Sequence, residues 1–231
     1  MKGTLALAGS GEYLPKMEPV DSYLLEKTPG EPRVVCLPTA AGTEGAQRIG
    51  YWSRLGVEHF RRLGAQVEPV EIINRDMAHD DALVDKIRAA NFVYLSGGKP
   101  GYLLDTLHDS PAGTAIQDVL ERGGVVAGCS AGAMIWGEEF RSVRLNNAWK
   151  HGFNYVRHSA IFPHYDEIPD MMVRVARETM PHHLTILGVE GYTVLVKTDA
   201  GYHVKGAGGV TVWNHHLKHR YVDSQVIPPW W

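Results

Sequence analysis

The segment Val125-Val126-Ala127-Gly128-Cys129-Ser130-Ala131-Gly132-Ala133-Met134-Ile135-Trp136 decides the fold. A short apolar run enters a block of small residues and leaves it as a second apolar stretch, the pattern of a buried strand turning sharply into a helix. Only small neighbours fit such a turn, so Gly128 and Gly132, two residues either side of Ser130, relieve clashes with sheet and helix. A helix starting behind the serine favours developing negative charge. The G-x-S-x-G spacing makes Ser130 a candidate nucleophile. The same small-residue turn also occurs as a packing joint or an anion cradle.

Working outward, four more strand candidates precede or follow helical patterns in the first 140 residues: Thr4–Ala8, Arg33–Leu37, 67–73 and Phe92–Leu95. Most are near-continuous apolar runs, as strands buried on both faces require. The run 67–73 contains Pro69 and Glu71 and therefore suits an edge strand. Segments 43–63 and 80–90 carry apolar residues at helical spacing, for example Leu83, Ile87 and Ala90, and supply crossover helices. The expected fold is α/β, a mostly parallel sheet flanked by helices.

After residue 140 the pattern changes to a strand at Ser159–Phe162, a helix at 166–180, and closely spaced strands at Thr185–Val189, 192–196, 202–205 and Gly209–Trp213. Turns at Glu190-Gly191 and Asp199-Ala200-Gly201 predict antiparallel strands in this C-terminal third. No repeat, low-complexity tract or linker interrupts the 231 residues, so residues 1–231 are expected to form a single domain. Trp230-Trp231 at the end predicts docking onto this chain or onto a second copy, as in a homodimer.

Composition narrows the function. The net charge is -3, the pI is about 6.4 and no basic run exceeds a pair such as Arg61-Arg62, which argues against nucleic acid as a partner. No stretch approaches the roughly 20 apolar residues that span a bilayer, and the opening Thr4–Ala8 run is too short for a signal peptide. Two cysteines, Cys36 and Cys129, are no disulfide framework. A cytoplasmic protein free of membranes is expected.

A second glycine turn, Ser96-Gly97-Gly98-Lys99-Pro100, ends the Phe92–Leu95 strand. If that strand neighbours the one before Ser130, both turns meet at the same sheet edge, where open α/β sheets keep their active sites. The amide of Gly97 or Gly98, together with that of Ala131, would then form an oxyanion hole; an ordinary turn is the alternative. Of the 12 histidines, His164 in Phe162-Pro163-His164-Tyr165 is best placed as general base, most of the others suiting the surface. Glu190, closing the Thr185–Val189 strand, is the candidate orienting acid, with Glu138 and Glu139 as alternatives.

At these residues the chain resembles the serine peptidases that include dipeptidase E and cyanophycinase, a branch of the class I glutamine-amidotransferase-like fold. Leu7-Ala8-Gly9-Ser10-Gly11-Glu12 looks like the family's opening glycine turn, and Tyr94-Leu95-Ser96-Gly97-Gly98 resembles its oxyanion strand. Gly128-Cys129-Ser130-Ala131-Gly132-Ala133 resembles its nucleophile turn, and Phe162-Pro163-His164-Tyr165 the segment carrying its histidine. Related turns in glutamine amidotransferases centre on cysteine; centring this one on Cys129 would put Ala127 and Ala131 where glycines belong, which favours Ser130. The resemblance implies Ser130 as nucleophile and His164 as base, with Glu190 as acid by similarity to the cyanophycinase-like branch. Asn146 and Asn147 stand where the dipeptidase branch places an aspartate. Lys99 stands where members carry Asn or Asp; it would pair with a substrate carboxylate or be solvated.

The expected activity is serine-type hydrolysis of a small peptide through an acyl-enzyme, rising with pH through about 6–7 as a histidine base loses its proton. An amidotransferase-like or esterase-like hydrolase would use the same turn on a non-peptide amide or ester. A small-molecule binding protein could keep the fold without the chemistry. A metal site would draw on His182-His183, Asn214-His215-His216, His219 and Asp223, but no metal is expected. Gly9-Ser10-Gly11-Glu12 fails the dinucleotide pattern because position 14 is Leu14, so no cofactor is expected.

Overall fold

The computed structural model describes residues 1–141, 149–214 and 216–230. Strands β1 (Thr4–Ala8), β2 (Arg33–Leu37), β3 (Gln66–Pro69), β4 (Phe92–Leu95) and β5 (Val125–Cys129) run parallel in one sheet. β1, β4 and β5 are buried along their whole length, as their unbroken apolar sequence requires. β3 lies at the sheet edge and ends at Pro69, which is tolerated there because the bonds to β2 come from alternate residues such as Gln66 and Val70, leaving position 69 on the open side; the strand ends short of the predicted residue 73.

Helices α1 (Glu18–Leu25), α2 (Ala46–Arg62), α3 (Asp81–Ala89), α4 (Pro100–Leu107) and α5 (Pro111–Glu121) cover the faces of this sheet. The Asp80 carboxylate caps α3 at the amides of Ala82 and Leu83, and Ser110 caps α5 at Gly113 with Pro111 beginning the helix. The sequence pattern points to α2 and α3 but not to α1, α4 or α5. α1 and α4 are eight residues each, little more than two turns, and too short for apolar periodicity to stand out.

Beyond β5 come a single helical turn, α6 (Ala131–Met134), and the short antiparallel pair β6 (Glu139–Phe140) and β7 (Lys150–His151). The C-terminal third divides between two sheets. Strands β10 (Thr193–Thr198), β11 (Gly201–Gly206) and the short β14 (Val226–Ile227) extend the first sheet antiparallel from β1, giving the order β14-β11-β10-β1-β5-β4-β2-β3. Strands β8 (Ser159–Phe162), β9 (Thr185–Val189), β12 (Gly209–Trp213) and β13 (Lys218–Val222) form a second sheet in the order β13-β12-β9-β8. Within it β8 and β9 are parallel, joined through α7 (Asp170–Thr179), so the third is not antiparallel throughout. Thr198 pairs with Gly201 across the expected tight hairpin. Glu190-Gly191, by contrast, is no hairpin: it is where the chain passes from β9 in the second sheet to β10 in the first.

One apolar core connects the sheets, with Leu7 and Val126 from the first and Leu187 and Val210 from the second in the same cluster. A separate cluster on the other face of the first sheet gathers Ala6, Phe60, Tyr94 and Cys129. Trp230 is buried in its own chain against Tyr202, ring centroids 4.6 Å apart; Trp231 lies outside the described residues. No helix among the described residues is long and apolar enough to cross a membrane.

Candidate active site

Ser130 stands between β5 and α6 (Ala131–Met134) with φ +52° and ψ -110°, a backbone that L residues adopt only under constraint. The constraint comes from close backbone packing on both sides. A Cβ on Gly128 would stand 2.1 Å from the Gly132 carbonyl oxygen, and one on Gly132 would stand 2.4 Å from the Leu95 carbonyl oxygen. The Ser130 amide donates to Ala8 O at 3.0 Å, fastening the turn to β1. α6 stops after four residues, so the helix expected behind Ser130 is a single turn. A helix this short contributes little dipole at Ser130.

β4 and β5 are sheet neighbours with Leu95 opposite Gly128, so the glycine turn after β4 meets the Ser130 turn at the same edge. The two expected oxyanion glycines have different fates. Gly97 donates its amide to the buried Glu12 carboxyl at 2.9 Å and is thereby removed as a donor to substrate. Gly98 lines the cleft beside Ser130 with φ +146°, and a Cβ there would stand 2.4 Å from the Ala40 carbonyl oxygen. Among the described residues neither the Gly98 nor the Ala131 amide donates a hydrogen bond. Lys99 turns away, its Nζ donating to Thr43 Oγ1 at 2.8 Å, and it does not line the cleft.

His164 follows β8, which lies in the second sheet rather than beside β5, yet its Nε2 comes within 3.1 Å of Ser130 Oγ. His164 itself has φ +53°, held by bonds on its C-terminal side. The Tyr165 amide donates to Val189 O at 3.1 Å, and Asp166 Oδ1 accepts from the Gly191 amide at 2.8 Å. The Tyr165 ring occupies the space a Cβ on Gly188 would need, 2.2 Å away. The histidine is thus positioned by the end of β9.

The acid is a correction. Glu190 makes no ion pair with His164: its carboxylate accepts from Arg220 Nε at 2.5 Å, from Arg220 Nη2 at 2.6 Å and from the Gly209 amide at 2.9 Å. The Arg220 guanidinium, by these hydrogen bonds, holds the Glu190 carboxyl below the usual glutamate value. Bidentate pairing of this kind satisfies both oxygens and turns them toward β13. Glu190 fixes the turn whose Gly191 amide binds the histidine loop. The carboxylate beside His164 Nδ1 is Glu167, at 3.5 Å. Glu138 is engaged by His183 at 2.7 Å and by the His158 amide at 2.8 Å, while Glu139 faces His151 at 3.6 Å. Asn146 and Asn147 lie outside the described residues.

Sequence reasoning missed the role of Glu12, quoted only as part of a glycine turn. It is buried beneath the two loops, and burial raises its pKa against the opposing effects of the Cys129 thiol and the Gly97 amide. Burial disfavours the charged form of a carboxyl that the Gly97 amide stabilises. Cys129 is itself fully buried, and burial pushes its thiol far above the range in which it would ionise. Another surprise is His59, buried and paired with Asp21 at 2.8 Å instead of lying at the surface.

Ser130, Ala131, Gly98 and His164 open onto a cleft of about 460 Å³. The residues considered for a metal do not converge: His183 is on Glu138, His219 is on β13, and Asp223 accepts from Gly206 and Lys205. No group of three or more His, Cys, Asp or Glu among the described residues is placed to hold a metal, and His215 lies outside them.

The site thus brings a hydroxyl from the end of a strand of the first, mostly parallel sheet into contact with an imidazole from the end of a strand of the second, and the class of the protein, a peptidase, follows from its family. The chain belongs to peptidase family S51, whose model matches residues 5–204. Its fold is that of the crystal structure of a peptidase from an acI-B1 actinobacterium, with a TM-score of 0.89 and 32% identity over 98% of this chain and 97% of that one. A crystal structure of a peptidase E-like protein from Listeria monocytogenes EGD-e shares the fold, with a TM-score of 0.68 at 21% identity over 90% of this chain and all of that one. An uncharacterized peptidase of Listeria monocytogenes serovar 1/2a is 24% identical over 176 residues, 73% of this chain and 80% of the relative.

Proposed function

We propose that this peptidase is a serine enzyme that cleaves short peptides through an acyl-enzyme. The observation that carries the reading is the 3.1 Å contact between Ser130 Oγ and His164 Nε2 at the floor of the cleft. His164 Nε2 takes the Ser130 proton as Oγ bonds to the scissile carbonyl carbon. The carbonyl oxygen becomes an oxyanion facing the amides of Gly98 and Ala131. The imidazolium returns the proton to the leaving nitrogen as the C–N bond breaks. Water then repeats the sequence, with His164 as base, and frees the acid. Glu167 stands 3.5 Å from Nδ1 but is exposed to solvent, so its share in orienting the ring is small.

Ser130→Ala should lower kcat by several orders of magnitude with the melting temperature nearly unchanged, since alanine fits the same turn. A fluorophosphonate probe should label native wild-type protein at Ser130, more slowly in His164→Ala, and not after denaturation. Full turnover by Ser130→Ala would overturn the mechanism. Labelling with ester hydrolysis but no amide hydrolysis would favour the esterase-like alternative, and native protein that takes no label would favour a binding role.

A further inference from the structure

The walls of the cleft give a direction that the sequence lacks. Beyond Ser130 and His164 its lining is dominated by Met134, Ile161, Phe162, Ile168, Pro169 and Met172. Among the described residues the charged ones lining the cleft are Arg141 and Glu167, one of each sign, so the described lining has no net charge with which to select an ionic side chain. Lys99, the residue that would have chosen an acidic substrate, is held on Thr43 outside the cleft. Arg141 stacks over the Trp149 ring, 5.2 Å from its centroid.

The apolar wall continues onto the surface. α7 exposes Met171, Met172 and Val175, with Met171 73% exposed, while Val173 and Ala176 on its other face are buried. A contiguous exposed apolar patch is a surface on which another molecule can pack. Methionine is unbranched and polarizable, and it moulds itself to varied apolar groups.

We infer that the substrate is a short peptide in which a residue flanking the scissile bond is large and apolar, of the leucine, methionine or phenylalanine kind, packed against Met134, Phe162 and Met172. The inference rests on the Ser130 and His164 reading above. A charged side chain in the same place would surrender hydration without a buried partner. A cleft of about 460 Å³ has room for one such side chain together with the peptide around it.

The test uses the full chain and two dipeptide series, one varying the acyl residue and one the leaving residue across Leu, Met, Phe, Ala, Lys, Asp and β-aspartyl. At the position that discriminates, Leu, Met or Phe should exceed Asp and β-aspartyl in kcat/KM by about tenfold or more. Met172→Ala, with its fold checked by thermal melting, should lower kcat/KM for the large apolar substrates severalfold and for the alanine substrate less. A preference for Asp or β-aspartyl that disappears in Arg141→Met would overturn the inference, because Arg141 would then be the selecting group. So would a flat panel, or Met172→Ala lowering all substrates equally. If fluorophosphonate labels Ser130 while the panel prefers acids, only the substrate class fails. If native protein takes no label, the mechanism fails and the substrate class with it.

Discussion

Glu12 shows at the scale of one residue how a side chain can govern chemistry it does not touch. Its Oε1 accepts the Gly97 amide at 2.9 Å, and a Cβ on Gly97 would lie 3.4 Å from Ser130 Cβ, so the carboxyl sets the loop that carries Gly98. Burial raises the Glu12 pKa, and glutamine keeps a carbonyl oxygen that can accept the Gly97 amide without a charge to bury. Glu12→Gln should retain kcat within a few fold, whereas Glu12→Ala leaves the Gly97 amide unpaired and should lower kcat about ten- to a hundredfold. That is less than the roughly 10²–10³ from deleting an oxyanion donor outright. Steady-state kinetics with kcat and KM resolved separately would check this, and equal losses in the two variants would mean that the ionised form is required. The sequence marks Ser130 by its glycines and His164 by its place after a strand. It does not mark Glu12, because the contact joins residues 12 and 97, and nothing local to either announces it.

At the scale of elements, the turn after β5 works because two backbones approach where a Cβ cannot fit. Gly132→Ala would drive a methyl to 2.4 Å from Leu95 O and 2.9 Å from Leu95 Cβ, pushing on the strand that ends at the Gly97-Gly98 turn. It should destabilise the protein by about 1–3 kcal/mol or more. Gly50→Ala provides the opposite sign, since Gly50 lies inside α2 and the nearest atom to an added Cβ is Arg54 Nη1 at 3.7 Å. Alanine there should stabilise by roughly 0.5–1 kcal/mol through its better helix propensity. Urea unfolding of both variants would measure the contrast. The buried parallel strands are legible in sequence because burial on both faces demands unbroken apolar runs. β13 is not, because Lys218-His219-Arg220-Tyr221-Val222 is mostly exposed and lacks that signature.

Across the whole molecule the two sheets are joined at the site by the passage from β9 to β10 at Glu190. The Arg220 pair orders that passage, the Gly191 amide binds Asp166, and His164 follows from it. The sign of its pH dependence is fixed by the lowered Glu190 pKa, whose first cause is the hydrogen bond from Arg220. A depressed folded-state value means that the contribution to stability is complete above the unfolded glutamate value of 4.5 and is lost as pH falls below it. The melting temperature of Glu190→Gln should therefore lie below that of wild type at pH 7, with the gap closing in acid. Salt should narrow the gap at neutral pH, because Arg220 is 49% exposed. A gap that widens in acid would contradict this role.

What the sequence determined by itself is everything governed by local sterics and by unbroken burial: the parallel strands, the glycine-framed turn that presents Ser130, and the α/β class that follows. The tertiary structure decided which groups meet across long separations. It brought His164 to Ser130 from a second sheet, engaged Gly97 with Glu12 so that Gly98 faces the cleft, drew Glu190 to Arg220, and lined the cleft with apolar side chains. The physical reason is that hydrogen bonds and ion pairs depend on distances of a few ångströms between residues far apart in the chain, 85 positions for Glu12 and Gly97, and periodicity along the chain carries no record of them.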